Sequence, residues 1–328
     1  MTDQPLLQVE DLTVHYRTPA GDVQALRHAE LKAHAGEVVG IVGESGCGKS
    51  TLIAAVINLL ASNARVAGGA VKFRGTDILS LGPEEQRALR GQEIAMVFQD
   101  PMTAFNPVLT LGEQLIDFQH QDRAASRGEK RRRAVAMLAR VGIPDPDLRL
   151  SGYPHEISGG MRQRVAIAAA LLMNPALLIA DEPTTALDVT MEAQIIHLLR
   201  ELKRDYNGAI LLVTHHLGVV AELCDRVYVM YAGEVVENGS VEDIFLRPAH
   251  PYTRALLDCD PARFDEKLQA LPTIPGSLPD LHDLPTGCVY APRCALAFEK
   301  CAVLPGIVPV SATHAARCHA AQSWGERG

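Results

Sequence analysis

The run Gly43-Glu44-Ser45-Gly46-Cys47-Gly48-Lys49-Ser50 fits G-x-x-x-x-G-K-[ST] and constrains this chain more than any other feature. It follows the apolar segment Glu37-Val38-Val39-Gly40-Ile41-Val42, which has the pattern of a buried parallel strand. It opens a segment, Leu52 to Leu60, that reads as helix. Strand, glycine-rich turn and helix together are the context in which such a loop holds phosphate. The glycines let the backbone wrap tightly and aim N–H groups at oxygens, and the helix N-terminus adds a favourable dipole. Lys49 is expected to reach the β- and γ-phosphates and Ser50 to ligate Mg²⁺, with Glu44, Ser45, Gly46, Cys47, Gly48 and Thr51 lining the same turn.

Further strand-like runs at Ile94–Phe98, Ala176–Ala180 and Ile210–Val213 alternate with helical stretches, which predicts an α/β fold on a mainly parallel sheet. Residues 102 to 157 break this rhythm. They carry two helical segments, near 111–120 and 128–141, and predict an inserted helical subdomain. The dense basic run Lys130-Arg131-Arg132-Arg133 falls there and reads as a solvated helix face. The net charge of −8 and pI near 5.8 argue against a nucleic-acid partner. No window reaches the roughly 18 apolar residues of a membrane helix, and the N-terminus lacks a secretory pattern, so a cytosolic chain is expected.

Two acids close an apolar strand at Leu177-Leu178-Ile179-Ala180-Asp181-Glu182. Asp181 is expected to bind the Mg²⁺, and Glu182 to act as general base on the attacking water. Between this strand and the phosphate loop lies Ser158-Gly159-Gly160-Met161-Arg162-Gln163-Arg164, where Ser158 suits a helix N-cap and the glycines leave N–H groups open to an anion.

That stretch resembles the signature sequence of ATP-binding-cassette proteins. The resemblance implies a P-loop NTPase cassette, with a RecA-like core, an antiparallel β element and a helical subdomain. It implies a head-to-tail dimer in which Ser158, Gly159, Gly160, Gln163 and the D-loop Asp188 face an ATP held by the opposite subunit. Gln99 resembles the glutamine that contacts Mg²⁺ and the lytic water, His215 the switch histidine, and Tyr16 the aromatic residue that stacks on adenine. Three positions depart from the pattern: Cys47 for serine, His216 for aspartate and Ile157 for leucine. Lying near a helix N-terminus, the Cys47 thiol is expected to have a lowered pKa and to be open to alkylation.

Phe98-Gln99-Asp100-Pro101-Met102-Thr103-Ala104-Phe105-Asn106-Pro107, His250-Pro251-Tyr252-Thr253-Arg254-Ala255-Leu256-Leu257 and Gly287-Cys288-Val289-Tyr290-Ala291-Pro292-Arg293-Cys294 are similar to importers of di- and oligopeptides, some of whose relatives carry nickel. This implies a cassette over residues 1–240, with its insert near 102–160, and a C-terminal extension over 241–328, reached through a proline-rich linker from Pro272 to Pro285. It also implies a second, related cassette chain, two transmembrane permease subunits, an extracytoplasmic substrate-binding protein and a place on the cytoplasmic face of the membrane. Cys288, Cys294, Cys301 and Cys318 have the spacing C-x₅-C-x₆-C-x₁₆-C; the same resemblance implies a 4Fe–4S cluster there, with zinc, a disulfide or no ligand as alternatives. Cys224 and Cys259 read as ordinary cysteines. Import of nickel or another small solute, or a soluble ATPase acting on nucleic acid or the ribosome, remain the alternative readings.

Overall fold

The computed structural model describes residues 4–100, 104–185, 187–260 and 272–321. It divides into two units, one built from 1–80 and 213–328 and the other from 81–212.

The first unit opens on β1 (Leu7–Thr18) and β2 (Gly21–Ala33), paired antiparallel with Thr18 opposite Gly21. Leu7 and Val9, and after a register irregularity Leu12 and Val14, are buried on the core face of β1. β3 (Val38–Val42) is buried at every residue and runs into the phosphate loop, after which α1 spans Lys49–Val56. This helix starts three residues before the expected Leu52, because its first residue follows Gly48, which is left-handed at φ 106°. It stops at Ile57; the next residue, Asn58, is also left-handed and donates its side-chain amide to the Ile78 carbonyl at 2.9 Å. β4 (Ala64–Phe73) and β5 (Thr76–Asp77) complete a four-stranded sheet in the order β2-β1-β4-β5, the antiparallel element.

The second unit contains α2 (Pro83–Leu89), β6 (Ile94–Val97), α3 (Leu111–Asp117), α4 (Arg127–Arg140), α5 (Pro146–Arg149), α6 (Gly159–Leu171), β7 (Leu177–Asp181), α7 (Val189–Asp205) and all but the last residue of β8 (Ala209–Val213). β6 and β7 pair in parallel, Val97 opposite Ala180, so both strands end on the same side. Side-chain caps start the helices: Thr110 with Glu113 in a capping box, then Ser126, Ser158 and Asp188, each accepting from the N–H three residues on. The basic run lies on α4, where Arg131 pairs with Asp147, Arg132 with Glu129 and Arg133 with Asp122. It is the solvated, ion-paired face its composition predicts.

The first unit resumes with α8 (Leu217–Leu223), β9 (Arg226–Tyr231) and β10 (Glu234–Ser240). β9 is parallel to β3, and the β9–β10 hairpin turns on Ala232 and Gly233, both with positive φ. After α9 (Val241–Leu246) and α10 (Pro251–Asp258), residues 272–285 carry no helix or strand. The tail then adds β11 (Val308–Pro309) and β12 (Ala315–Ala316), with Ala316 pairing to Glu237 of β10. Among the described residues no helix is long and apolar enough to cross a membrane.

Candidate functional site

In the first unit the phosphate loop leaves β3 at Gly43, where φ is 152° and a Cβ would fall 2.2 Å from the Met230 carbonyl oxygen; only glycine fits. Gly48 is similarly confined, 2.7 Å from the Ala25 carbonyl. Lys49 is buried, and its ammonium donates to the Gly43 carbonyl at 2.7 Å and the Glu44 carbonyl at 3.1 Å. Ser45, Gly46 and Ser50 are exposed, and Thr51 is half-buried. Tyr16 is half-buried on β1, opposite Val23 and Ala64. His215 and His216 follow the buried Thr214 as exposed neighbours with ring centroids 4.4 Å apart.

Cys47 corrects the expectation from its position. The side chain is fully buried, and burial pushes the thiol up from its ordinary value, against the pull of the Lys49 ammonium 3.7 Å away. The helix N-terminus cannot make a thiolate where water cannot reach.

In the second unit, β7 delivers Asp181 and then Glu182, which sits at φ 46°, a strained conformation for a non-glycine residue. Its Oε2 accepts from Gln99 Nε2 at 2.9 Å and from Thr185 Oγ1 at 2.8 Å. The parallel pairing of β6 and β7 explains why Gln99 reaches it. At the signature turn, Ser158 accepts from the Met161 N–H at 3.3 Å, and no other atom approaches the place of a Gly159 Cβ. Gly160 is covered instead: a Cβ there would lie 1.6 Å from Met191 Cε. Asp188 caps α7 through the same Met191, whose N–H it accepts at 2.8 Å, so the D-loop and the signature turn share one residue. Gln163 is buried with its amide nitrogen unpaired, whereas Ser158 and Gly159 are exposed. Pro101 to Thr103, of the stretch Phe98 to Pro107, and Ala186, two residues before Asp188, lie outside the described residues.

The C-terminal extension gathers Cys288, Cys294, Cys301 and Cys318 on one cavity, with His250, Tyr290 and Phe298 in its wall. All four are free thiols. Burial raises Cys288 to about 11 and also raises Cys294 and Cys318. An all-thiol donor set suits a soft metal or an iron–sulfur cluster. The spacing as it stands does not: among the described residues no three His, Cys, Asp or Glu side chains form a group that could hold a metal ion. Cys224 packs against Gly40 and Cys259 is half-buried, ordinary positions both.

Three arginines tie the extension to the rest of the first unit, and sequence spacing pairs none of them with its partner. Arg27 pairs with the buried Glu234 and donates to the Pro285 and Gly287 carbonyls at 2.8 and 3.2 Å. Arg317 approaches the other Glu234 oxygen at 3.9 Å and donates to the His28 carbonyl at 3.3 Å. Arg293 pairs with Glu44 of the phosphate loop.

These elements define an ATP-binding cassette. A dimeric ATP-binding cassette, MJ0796, solved in a post-hydrolysis state with ADP and Pi, matches with a TM-score of 0.64 at 30% identity, over 72% of this chain and 98% of that one. CbiO1 from Clostridium perfringens, part of an ABC transporter complex, matches equally well at 31% identity, over 75% of this chain and 92% of its own. Residues 26–185 match the ABC transporter family and residues 236–301 the oligopeptide/dipeptide transporter C-terminal region. The oligopeptide transport ATP-binding protein OppD of Salmonella typhimurium is 51% identical, over 90% of this chain and 88% of its own length. A probable peptide ABC transporter ATP-binding protein of Sinorhizobium fredii is 47% identical, over 95% and 94%. The chain belongs to the oligopeptide-transport branch of the ABC transporter ATP-binding proteins and is an ATPase.

Proposed function

We propose that this chain is the ATP-hydrolysing subunit of an importer of di- and oligopeptides. The observation that carries this reading is the match of residues 236–301 to the oligopeptide/dipeptide transporter C-terminal region, beyond the cassette match at 26–185. The chain works at the cytoplasmic face of the membrane, beside a second, related cassette and two transmembrane permease subunits. Substrate arrives from an extracytoplasmic binding protein. The cassette occupies residues 1–240 with its helical insert near 102–160, and the extension 241–328.

Lys49 and the amides of residues 43–51 hold the phosphates, and Tyr16 stacks on adenine. Ser50, Gln99 and Asp181 would each hold Mg²⁺, which when bound would offset phosphate charge. Glu182 takes the proton of the attacking water. Its hydrogen bonds from Gln99 and Thr185 orient the carboxylate for that task. His215 senses the γ-phosphate. Ser158, Gly159 and Gly160 face the nucleotide of the opposite subunit, with Asp188 and the buried Gln163 beside them. ATP binding closes the cassette pair and hydrolysis reopens it.

Glu182→Gln tests the catalytic half of this reading. ATP binding should persist while turnover falls by at least about 10²-fold. Ordinary steady-state hydrolysis by the variant would remove Glu182 from the role of base. Stimulation of the reconstituted importer by labelled peptides, and not by nickel or another small solute, tests the substrate.

The iron–sulfur reading is kept as a proposal for Cys288, Cys294, Cys301 and Cys318. Its support is the single cavity that the four thiols line. Iron and acid-labile sulfide in anaerobically purified chain, about four of each, would establish it. One zinc would leave a structural staple, and no metal in folded protein would end the idea.

A further inference from the structure

Glu44 is the second residue of the phosphate loop, and each of its polar groups is engaged. Its N–H donates to Tyr252 Oη at 2.9 Å. Its carbonyl accepts from Lys49 Nζ at 3.1 Å and from the Cys47 N–H at 3.2 Å. Its carboxylate accepts two hydrogen bonds from Arg293, Nη1 to Oε2 at 2.8 Å and Nη2 to Oε1 at 3.3 Å.

Arg293 is itself fixed. Its side chain is only 5% exposed. It donates to the Pro275 and Ile274 carbonyls at 2.8 and 3.1 Å and lies over the Tyr231 ring, 5.7 Å from the centroid. Tyr231, Tyr252 and Tyr290 pack on one another, all buried, and hold both partners of Glu44 in place. A rigid planar fork meeting a carboxylate in two places fixes direction as well as distance, which a lysine cannot reproduce.

Two physical reasons make this grip consequential. The loop carries Gly43, Gly46 and Gly48 at positive φ, so it has more backbone freedom to lose on binding a nucleotide than an ordinary turn. Fixing Glu44 beforehand removes part of that loss. A carboxylate is also the wrong charge beside a polyphosphate, and the buried Arg293 guanidinium offsets it although the Glu44 side chain is 28% exposed.

We propose that Arg293 and Tyr252 are positioning residues for the phosphate loop: through Glu44 they hold its first turn in the shape that accepts ATP and cancel the carboxylate charge. The C-terminal region thereby sets the nucleotide affinity of the cassette. This rests on residues 43–51 being the phosphate loop, an assignment that Lys49→Ala checks separately.

The test uses the full chain, with displacement of a fluorescent ATP analogue by ATP, and the assembled importer for KM and kcat. Arg293→Ala should raise the Kd and KM for ATP about tenfold while kcat stays within about twofold. Arg293→Lys should fall between that variant and the parent, and Tyr252→Phe should raise Kd about threefold. Adding Glu44→Gln to Arg293→Ala should recover part of the lost affinity, because no carboxylate is then left unpaired. A role confined to folding would lower the melting temperature without that rescue. Affinity within about twofold of the parent in Arg293→Ala, or a double variant worse than the single one, would overturn the proposal. If Arg293→Ala does not fold, unchanged affinity in both Arg293→Lys and Tyr252→Phe overturns it. Parental ATP affinity in Lys49→Ala would instead displace the loop assignment on which the proposal stands.

Discussion

The turn after β3 and the turn after β7 each end a buried strand and each present a carboxylate, Glu44 in one and Glu182 in the other. They are held by different means. Glu182 is fixed from nearby, by Thr185 three residues along its own turn and by Gln99 at the end of the neighbouring parallel strand. Glu44 is fixed from far along the chain, by Tyr252 and Arg293, at sequence separations of 208 and 249. A residue that does chemistry is braced by its own turn and by the adjacent strand. A residue that shapes a binding loop is braced by a segment the motif does not contain, and that segment can differ from one cassette to another while the motif stays the same.

The long-range half of this comparison breaks most heavily at Glu234. Its carboxylate, 1% exposed, lies between Arg27 and Arg317. Glu234→Gln leaves two largely buried guanidinium groups without a counter-charge. The expected loss is about 3–5 kcal/mol, read as a lower midpoint in urea unfolding. If the extension is held instead by its backbone pairing and its small apolar cluster around Ala249, Ala316 and Ala321, the loss will be under about 1 kcal/mol.

The local half is sharpened at Gly160. An added Cβ would meet the tip of the Met191 side chain, which must swing away, so Gly160→Ala should destabilise by about 1–3 kcal/mol. Met191→Ala in the same chain should recover most of it, because Met191 supplies all three of the closest atoms. The double variant should also keep its Asp188 cap, since that bond goes to the Met191 backbone. Failure of the second substitution to rescue the first would mean that the signature turn needs glycine for its backbone, not for the room.

What the sequence made legible follows the same division. The buried strands lie where apolar runs of five or so residues predict them, at 38–42, 94–97, 177–181 and 209–213. The loop, the acid pair and the signature turn are local patterns with fixed spacing, and the structure sets each at a strand end or a helix start. Apolar spacing sets the start of the helix after the loop three residues late, because that start depends on the backbone of Gly48. The β9–β10 hairpin carries no strong turn signal, since Tyr231-Ala232-Gly233-Glu234 lacks the Asn-Gly or Asp-Gly that marks such turns. The three arginine grips could not be read at all. Ion pairs 83 to 249 positions apart leave no spacing to recognise, and the stretch that carries Arg293 points to a family without naming Glu44 as its partner.

Cys47 shows how even a local pattern misleads when burial is hidden. From the sequence, a thiol at a helix N-terminus should ionise easily. In the structure it has no exposed surface, and burial outweighs the Lys49 charge, so its pKa moves up from the ordinary 9.0. The sign then runs opposite to activation: at pH 9.0 less than half of Cys47 is thiolate, and the fraction falls further toward neutrality. Alkylation followed by peptide mass analysis should find Cys47 protected in the native chain at pH 7 to 9 and modified only when denaturant opens the loop. Its rate should then track unfolding, because the reagent needs both water access and thiolate. Cys47→Ser should leave ATP affinity nearly unchanged, since the side chain points into the interior and not toward the exposed Ser45, Gly46 and Ser50. Rapid native alkylation at neutral pH would show that the loop opens far more readily than the grip on Glu44 allows, and would weaken the contrast between the two turns from the side where it is strongest.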